Sequence, residues 1–246
     1  MYTVQRLPLP ETIPTGVEVW RLKLELQLPV PDSDLSLLSE DERIHASRYR
    51  RQEDQVRSAV TRAALRRILG ARAMLRPDEL DFVVNCHGKP RLQDDLGIEF
   101  NVSHAGCFAL IALSTNGQVG VDIESHDAGI DSESLSTYVF SSLERRSGLR
   151  MADEAEDFIE RWVAKESVLK ALGLGISEHL QAVSILPGNG QCNGQCYEIA
   201  HDNPDWAGIK AWPIESPVGY AAALAVKNHD PFLDSCEASQ QHQGAL

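Results

Sequence analysis

Nothing in this chain approaches the ~20 consecutive apolar residues of a membrane-crossing helix. The first residues, Met1-Tyr2-Thr3-Val4-Gln5-Arg6-Leu7-Pro8, have no basic stretch leading into an apolar run. A cytoplasmic protein with no membrane partner is expected. Positive charge is scarce as well: 23 Lys and Arg stand against 36 Asp and Glu, a formal net charge of −13. That balance excludes general binding to nucleic acid or to an anionic surface, so any anion site must be local. Cysteine is sparse and odd in number, with five scattered residues that fit a reducing compartment better than a disulfide framework. Cys192 and Cys196, with His201 nearby, are too loosely spaced for a zinc site without a fourth ligand, and unpaired thiols are expected there. No Gly-x-x-x-x-Gly-Lys-[Ser/Thr] run exists, which argues against a P-loop enzyme. A hydrolytic triad is also disfavoured. No nucleophile elbow is evident, and Ser103 and His104, adjacent on a strand, point to opposite faces.

What the chain does have is 246 residues at 43% hydrophobic content, enough for one large core or two small ones. Trp20 to Leu28 alternates apolar and polar residues and predicts a half-buried strand ended by Pro29 and Pro31. Ser39-Glu40-Asp41-Glu42 has the form of a capping box opening a helical region. A second helix over 57–69 carries Val56, Ala59, Val60, Ala63 and Ala64 on one face, before Gly70 stops it. Short strands are predicted at 82–84, 99–102 and 108–113, and the turn Thr115-Asn116-Gly117 leads into an acidic strand. Helical segments around 134–138, 142–150 and 157–172 follow, then strands near 182–186, 196–200, 209–214 and 220–226. The tail from His229 has little to pack and is expected to be disordered.

Two segments carry chemistry. In Gln118–Glu124, Val119, Val121 and Ile123 alternate with Gly120, Asp122 and Glu124, so a period of two sets both acids on one strand face. An acid pair opposite a buried face is costly without a cation, although a solvated strand face gives the same pattern. In the second segment, Trp162, Glu166 and Lys170 form one helical stripe. By itself, Glu166 four residues before Lys170 predicts only a surface ion pair worth roughly 0.3–0.5 kcal/mol. Trp162 reads as core packing rather than a stacking platform. Arg43, His45, Arg48, Arg50 and Arg51 form the densest basic run of an acidic chain, and an anionic ligand explains it as readily as a solvated face does.

Gly120-Val121-Asp122-Ile123-Glu124 followed by Trp162-Val163-Ala164-Lys165-Glu166-Ser167 and Lys170 resembles the signature of the Sfp-type 4'-phosphopantetheinyl transferases. Gly88-Lys89-Pro90, the run Phe100–Gly106 and Phe140-Ser141-Ser142-Leu143-Glu144 agree in order, and the resemblance runs from about Ser39 to about Gly175. It implies an α+β fold of two similar halves related by a pseudo-twofold, each a small sheet packed by helices, with the active site at their interface. On that division, residues 1–116 bind coenzyme A, 117–228 carry the metal and catalytic residues, and 229–246 are a tail. The implied reaction moves the 4'-phosphopantetheine arm of coenzyme A to a serine of an apo acyl or peptidyl carrier protein, as in holo-[acyl-carrier-protein] synthases. Mg²⁺ is implied at Asp122, Glu124 and Glu166, with Glu166 or Glu124 accepting the serine proton. Lys165 and Lys170 are implied as a phosphate clamp, and Arg48, Lys89, Pro90, Ser103 and His104 as contacts of coenzyme A. A monomer is expected. Another Mg²⁺-dependent nucleotide phosphotransferase or phosphohydrolase, or a non-catalytic coenzyme A or carrier-binding module, is the alternative.

Overall fold

In the computed structural model, residues 2–127, 132–146, 155–175, 179–186 and 196–228 are described. Expectations for the tail from 229 and for the helix beyond residue 146 lie outside them. The chain opens with β1 (Tyr2–Arg6), which sequence patterning did not reveal, and β2 (Val17–Leu24). The predicted 20–28 strand therefore starts earlier and ends at Leu24. There its amide donates to Cys107 O at 2.8 Å, where its neighbour strand runs out, and Leu28 N turns back onto Glu25 O. Then come α1 (Asp32–Leu35), α2 (Glu40–Ser47) and α3 (Gln52–Ala73). Ser39 caps α2 with the full reciprocal box to Glu42, as its sequence requires.

Gly70 does not stop α3. The helix continues to Ala73 and ends at Met74 in a left-handed conformation. Gly70 serves a different need, since a Cβ there would meet Leu75 O at 2.8 Å, on the segment returning over the helix. Next are β3 (Phe82–Val84), β4 (Pro90–Leu92), β5 (Glu99–Ala105), β6 (Phe108–Ser114) and β7 (Gln118–Ser125), then α4 (Ser132–Val139), α5 (Ser142–Arg146) and α6 (Ala155–Leu172). The last strands are β8 (Ser184–Leu186), β9 (Glu198–Ala200), β10 (Ile209–Pro213) and β11 (Tyr220–Lys227). Cys196 is disulfide-bonded, which corrects the reading of an unpaired thiol there, whereas Cys86 and Cys107 are free.

The strands form a four-stranded antiparallel sheet, β1-β2-β6-β5, and a three-stranded one, β10-β11-β7. Alternation along β2 and β6 divides their side chains between two cores. Leu22, Leu24, Ala109, Ile111 and Leu113 pack with Val56, Val60, Ala64 and Leu69 of α3. Val17, Val19, Leu110 and Ala112 face Val119, Val121, Ile123, Leu224 and Val226 of the second sheet. The far face of that sheet, through Ala221, Ala223 and Ala225, takes Val163, Ala164, Val168 and Ala171 of α6. The layers therefore run helix, sheet, sheet, helix, with β5 and β7 as edge strands of separate sheets.

Candidate active site

Strand β7 buries Val119, Val121 and Ile123 between the sheets, which leaves Gly120, Asp122 and Glu124 on the face under α6. Gly120 permits the closest approach in this seam. A Cβ there would lie 2.0 Å from Ser167 O and 2.3 Å from Ala171 N, so helix backbone rests directly on strand backbone. That contact sets Glu166 and Lys170, one helical turn apart, over Asp122. The Lys170 ammonium lies 2.5 Å from Asp122 Oδ1 and 3.6 Å from Glu166 Oε2, and it also donates to Ser103 Oγ at 3.1 Å. Ser103 Oγ in turn donates to Asp122 Oδ1 at 2.7 Å. The Asp122 side chain is 1% exposed and its Oδ2 is buried without a hydrogen-bond partner.

The electrostatics follow from three carboxylates sharing one ammonium. Burial, then Asp122 and Glu124, push Glu166 up to about 8, because Lys170 sits closer to Asp122 and offsets only part of this. Burial and Asp122 likewise raise Glu124 to about 7. Burial pulls the Lys170 ammonium down, but Asp122 and Glu166 outweigh it and its pKa is raised. Among the described residues no group of three His, Cys, Asp or Glu converges closely enough to enclose a metal, Lys170 being drawn in among the acids. The donor chemistry nonetheless fits a hard divalent cation. Burial and the neighbouring carboxylate of Asp122 keep two acids protonated near neutrality, and Asp122 Oδ2 is buried with nothing to accept.

The profile of the 4'-phosphopantetheinyl transferase superfamily matches residues 118–215, and that of the 4'-phosphopantetheinyl transferase N-terminal region matches 32–116. The 4'-phosphopantetheinyl transferase HetI of Nostoc sp. (strain PCC 7120) is 34% identical over 171 residues, 66% of this chain and 70% of the relative. The chain belongs to the 4'-phosphopantetheinyl transferase family. The transferase ffp of Bacillus subtilis aligns over 87% of this chain and 94% of its own length at 26% identity. Sfp of Bacillus subtilis (strain 168) is 28% identical over 61% of this chain and 67% of its own, in keeping with the Sfp-type resemblance. Members of the family transfer phosphopantetheine from coenzyme A to carrier proteins.

In this transferase the residues expected to bind coenzyme A are dispersed. Lys165 is not part of a phosphate clamp. It is fully buried and donates to Glu144 Oε2 at 2.6 Å, Val139 O at 2.7 Å and Leu180 O at 3.0 Å, which uses all its protons. Glu144 belongs to a second capping box, with Ser141, and also accepts from Ile185 N, so the Phe140–Glu144 motif is a buried anchor for α5, α6 and β8.

Lys89 is also engaged internally, donating to Val119 O at 3.1 Å and to Ala171 O at 3.3 Å, one of the orphan carbonyls ending α6. Burial lowers its pKa to about 8. Asn85 assists from the same hairpin, donating to Gly173 O. Pro90 opens β4, the partner of β3. Ser103 joins the acid cluster, whereas its neighbour His104 keeps an exposed face, and partial loss of water around the ring, followed by Arg57 and Lys170, lowers its pKa. Arg43 is tied to Leu35 O and Leu38 O. Arg48, Arg50 and Arg51 are exposed, with no ion pair among the described residues. The sequence reading assigned no role to Asn101, whose Oδ1 accepts from Val121 N at 2.9 Å. The usable signal was its position two residues before Ser103, on the same strand face.

Proposed function

We propose that the protein catalyses the holo-[acyl-carrier-protein] synthase type of reaction on an apo acyl or peptidyl carrier protein. The carrier's serine oxygen attacks the phosphorus that bears the pantetheine arm. The bridging P–O bond breaks, adenosine 3',5'-bisphosphate leaves, and the serine proton passes to a carboxylate. Glu166 is our first choice of acceptor, because it stands beside Asp122 at the Lys170 ammonium, and Glu124 is the second. Asp122, Glu124 and Glu166 would hold Mg²⁺, which when bound neutralises pyrophosphate charge. Lys170 would turn its ammonium to the phosphates, and Arg48, His104 and the neighbouring arginines would take the remaining phosphate and the adenosine. On this reading residues 1–116 and 117–228 are two related halves, each an antiparallel sheet backed by one long helix, and the site forms where they meet. The observation that carries the reading is the single ammonium of Lys170 shared by Asp122 and Glu166 beneath the α6 seam.

The test is incubation with coenzyme A, Mg²⁺ and a panel of apo carriers, read by intact mass. A carrier should gain one phosphopantetheine. Lys170→Met and Asp122→Ala should each lose on the order of 10²-fold or more in kcat/KM while staying folded by circular dichroism. Coenzyme A binding without modification of any carrier would favour a binding module instead.

A further inference from the structure

Helix α6 is closed at its C-terminal end by a hairpin that lies far from it in sequence. Its own chain satisfies two of the last carbonyls: Gly173, in a left-handed conformation, donates to Lys170 O at 3.2 Å, and Leu174 donates to Leu169 O at 3.0 Å. Ala171 O and Gly173 O are taken from outside, by Lys89 Nζ at 3.3 Å and by Asn85 Nδ2 at 3.0 Å. Asn85 organises the turn that makes both contacts. Its Oδ1 accepts from the amides of His87 at 2.9 Å and Lys89 at 2.8 Å, so one end of the side chain shapes the β3–β4 turn while the other grips α6. The fit is close, since a Cβ on Gly173 would lie 3.1 Å from Asn85 Nδ2. Lys89 Nζ also donates to Val119 O, one residue before the glycine of β7 on which α6 rests.

We propose that Asn85 is a positioning residue for Lys170. Lys170 stands three residues before Gly173, in the last turn of α6, and a last turn held only by its own hydrogen bonds frays. Gripped from the β3–β4 side, that turn keeps the Lys170 backbone at a fixed height over β7, and the ammonium is delivered to Asp122 and Glu166. Lys89 shares the grip, but its flexible stem can follow a moving helix. The short Asn85 amide, locked by its own turn, cannot. This inference rests on the phosphate-clamp reading of Lys170 proposed above.

The test compares Asn85→Asp with Asn85→Ala. The aspartate keeps the oxygen that accepts from His87 and Lys89, so the turn survives, but it cannot donate to Gly173 O. Both variants should lose on the order of tenfold or more in kcat. Amide hydrogen exchange at Gly173 and Leu174, which needs no turnover, should quicken about tenfold or more in both. In a Lys170→Met background, adding Asn85→Asp should cost less than about twofold further, because the residue it positions is already gone. Wild-type kcat in Asn85→Asp reduces Asn85 to a turn former and overturns the assignment, and this variant decides the matter should Asn85→Ala fail to fold. Unaltered exchange at the two amides, or losses that simply multiply in the double variant, also overturns it. Lys170→Met with wild-type kinetics is a separate outcome, which overturns the phosphate-clamp reading and this inference with it.

Discussion

Single residues in this site are set by how little water reaches them. Glu124 and Glu166 hold protons in the fold to about pH 7 and about pH 8, well above an ordinary glutamate. Between the unfolded and folded pKa values the native state therefore binds more protons than the unfolded chain, so its stability falls as pH rises through that window. Metal-free protein should show a melting temperature that drops between pH 5 and pH 8. Mg²⁺ should raise it more at pH 8 than at pH 6, because a bound cation removes the penalty on the charged form. Melting curves with chelator and with Mg²⁺ at the two pH values check this, and an equal increment at both would remove the acids from the cation site. The same-face placement of Asp122 and Glu124 was legible from alternation alone, and the Glu166–Lys170 turn from helical spacing. Ser103 was legible only as a motif letter, because its partners lie 19 and 67 residues away in sequence and no period encodes that.

Elements meet here with unusual economy. Helix α6 lies on β7 with no side chain between them at Gly120 and with only alanines beneath it on β11. Gly120→Ala should lift the helix, since its methyl would start 2.0 Å from a carbonyl oxygen. The expected cost is about 1–3 kcal/mol of stability from overpacking, and on the order of 10²-fold in kcat as Glu166 and Lys170 shift away from Asp122. Denaturant unfolding and steady-state kinetics measure the two, and a variant as active as wild type would show that the seam can yield. The opposite side of α6 carries the Lys165–Glu144 pair. Lys165→Met should cost about 3–5 kcal/mol, because it strands a buried carboxylate, and Lys165→Met combined with Glu144→Gln should recover part of it. Loss of coenzyme A affinity with an unmoved melting temperature would restore Lys165 to the ligand. Sequence could not separate Lys165 from Lys170. Both lie in one charged helical run, and only the packing of α5 and β8 decides which face is shut. The β1 strand was missed for a related reason, since an edge strand needs little apolar patterning when its pairing comes from β2.

On the scale of the whole molecule, an acidic protein must draw in a polyanion. Arg48, Arg50 and Arg51, exposed and without an ion pair among the described residues, form the densest free basic run of a chain with a net charge of −13. Exposed charges are screened beyond roughly 10 Å at 0.1 M salt. The KM for coenzyme A should therefore rise with ionic strength, and replacing the three arginines by glutamine should raise it at low salt and flatten that dependence. Salt-series kinetics read this directly, and an unaltered slope would place the phosphates elsewhere. The chain also has a direction in time. Residues 2–114 complete the four-stranded sheet and the helix covering its outer face before any of β7, β10 or β11 has been made. Until Val119, Val121 and Ile123 arrive, the nascent chain shows solvent a bare apolar wall of Val17, Val19, Leu110 and Ala112 beside the open edge of β5. During synthesis the chain thus passes through a defined length at which this wall is uncovered, and a ribosome stalled beyond the Asn116 turn leaves behind a sticky half-sandwich in place of a weak enzyme.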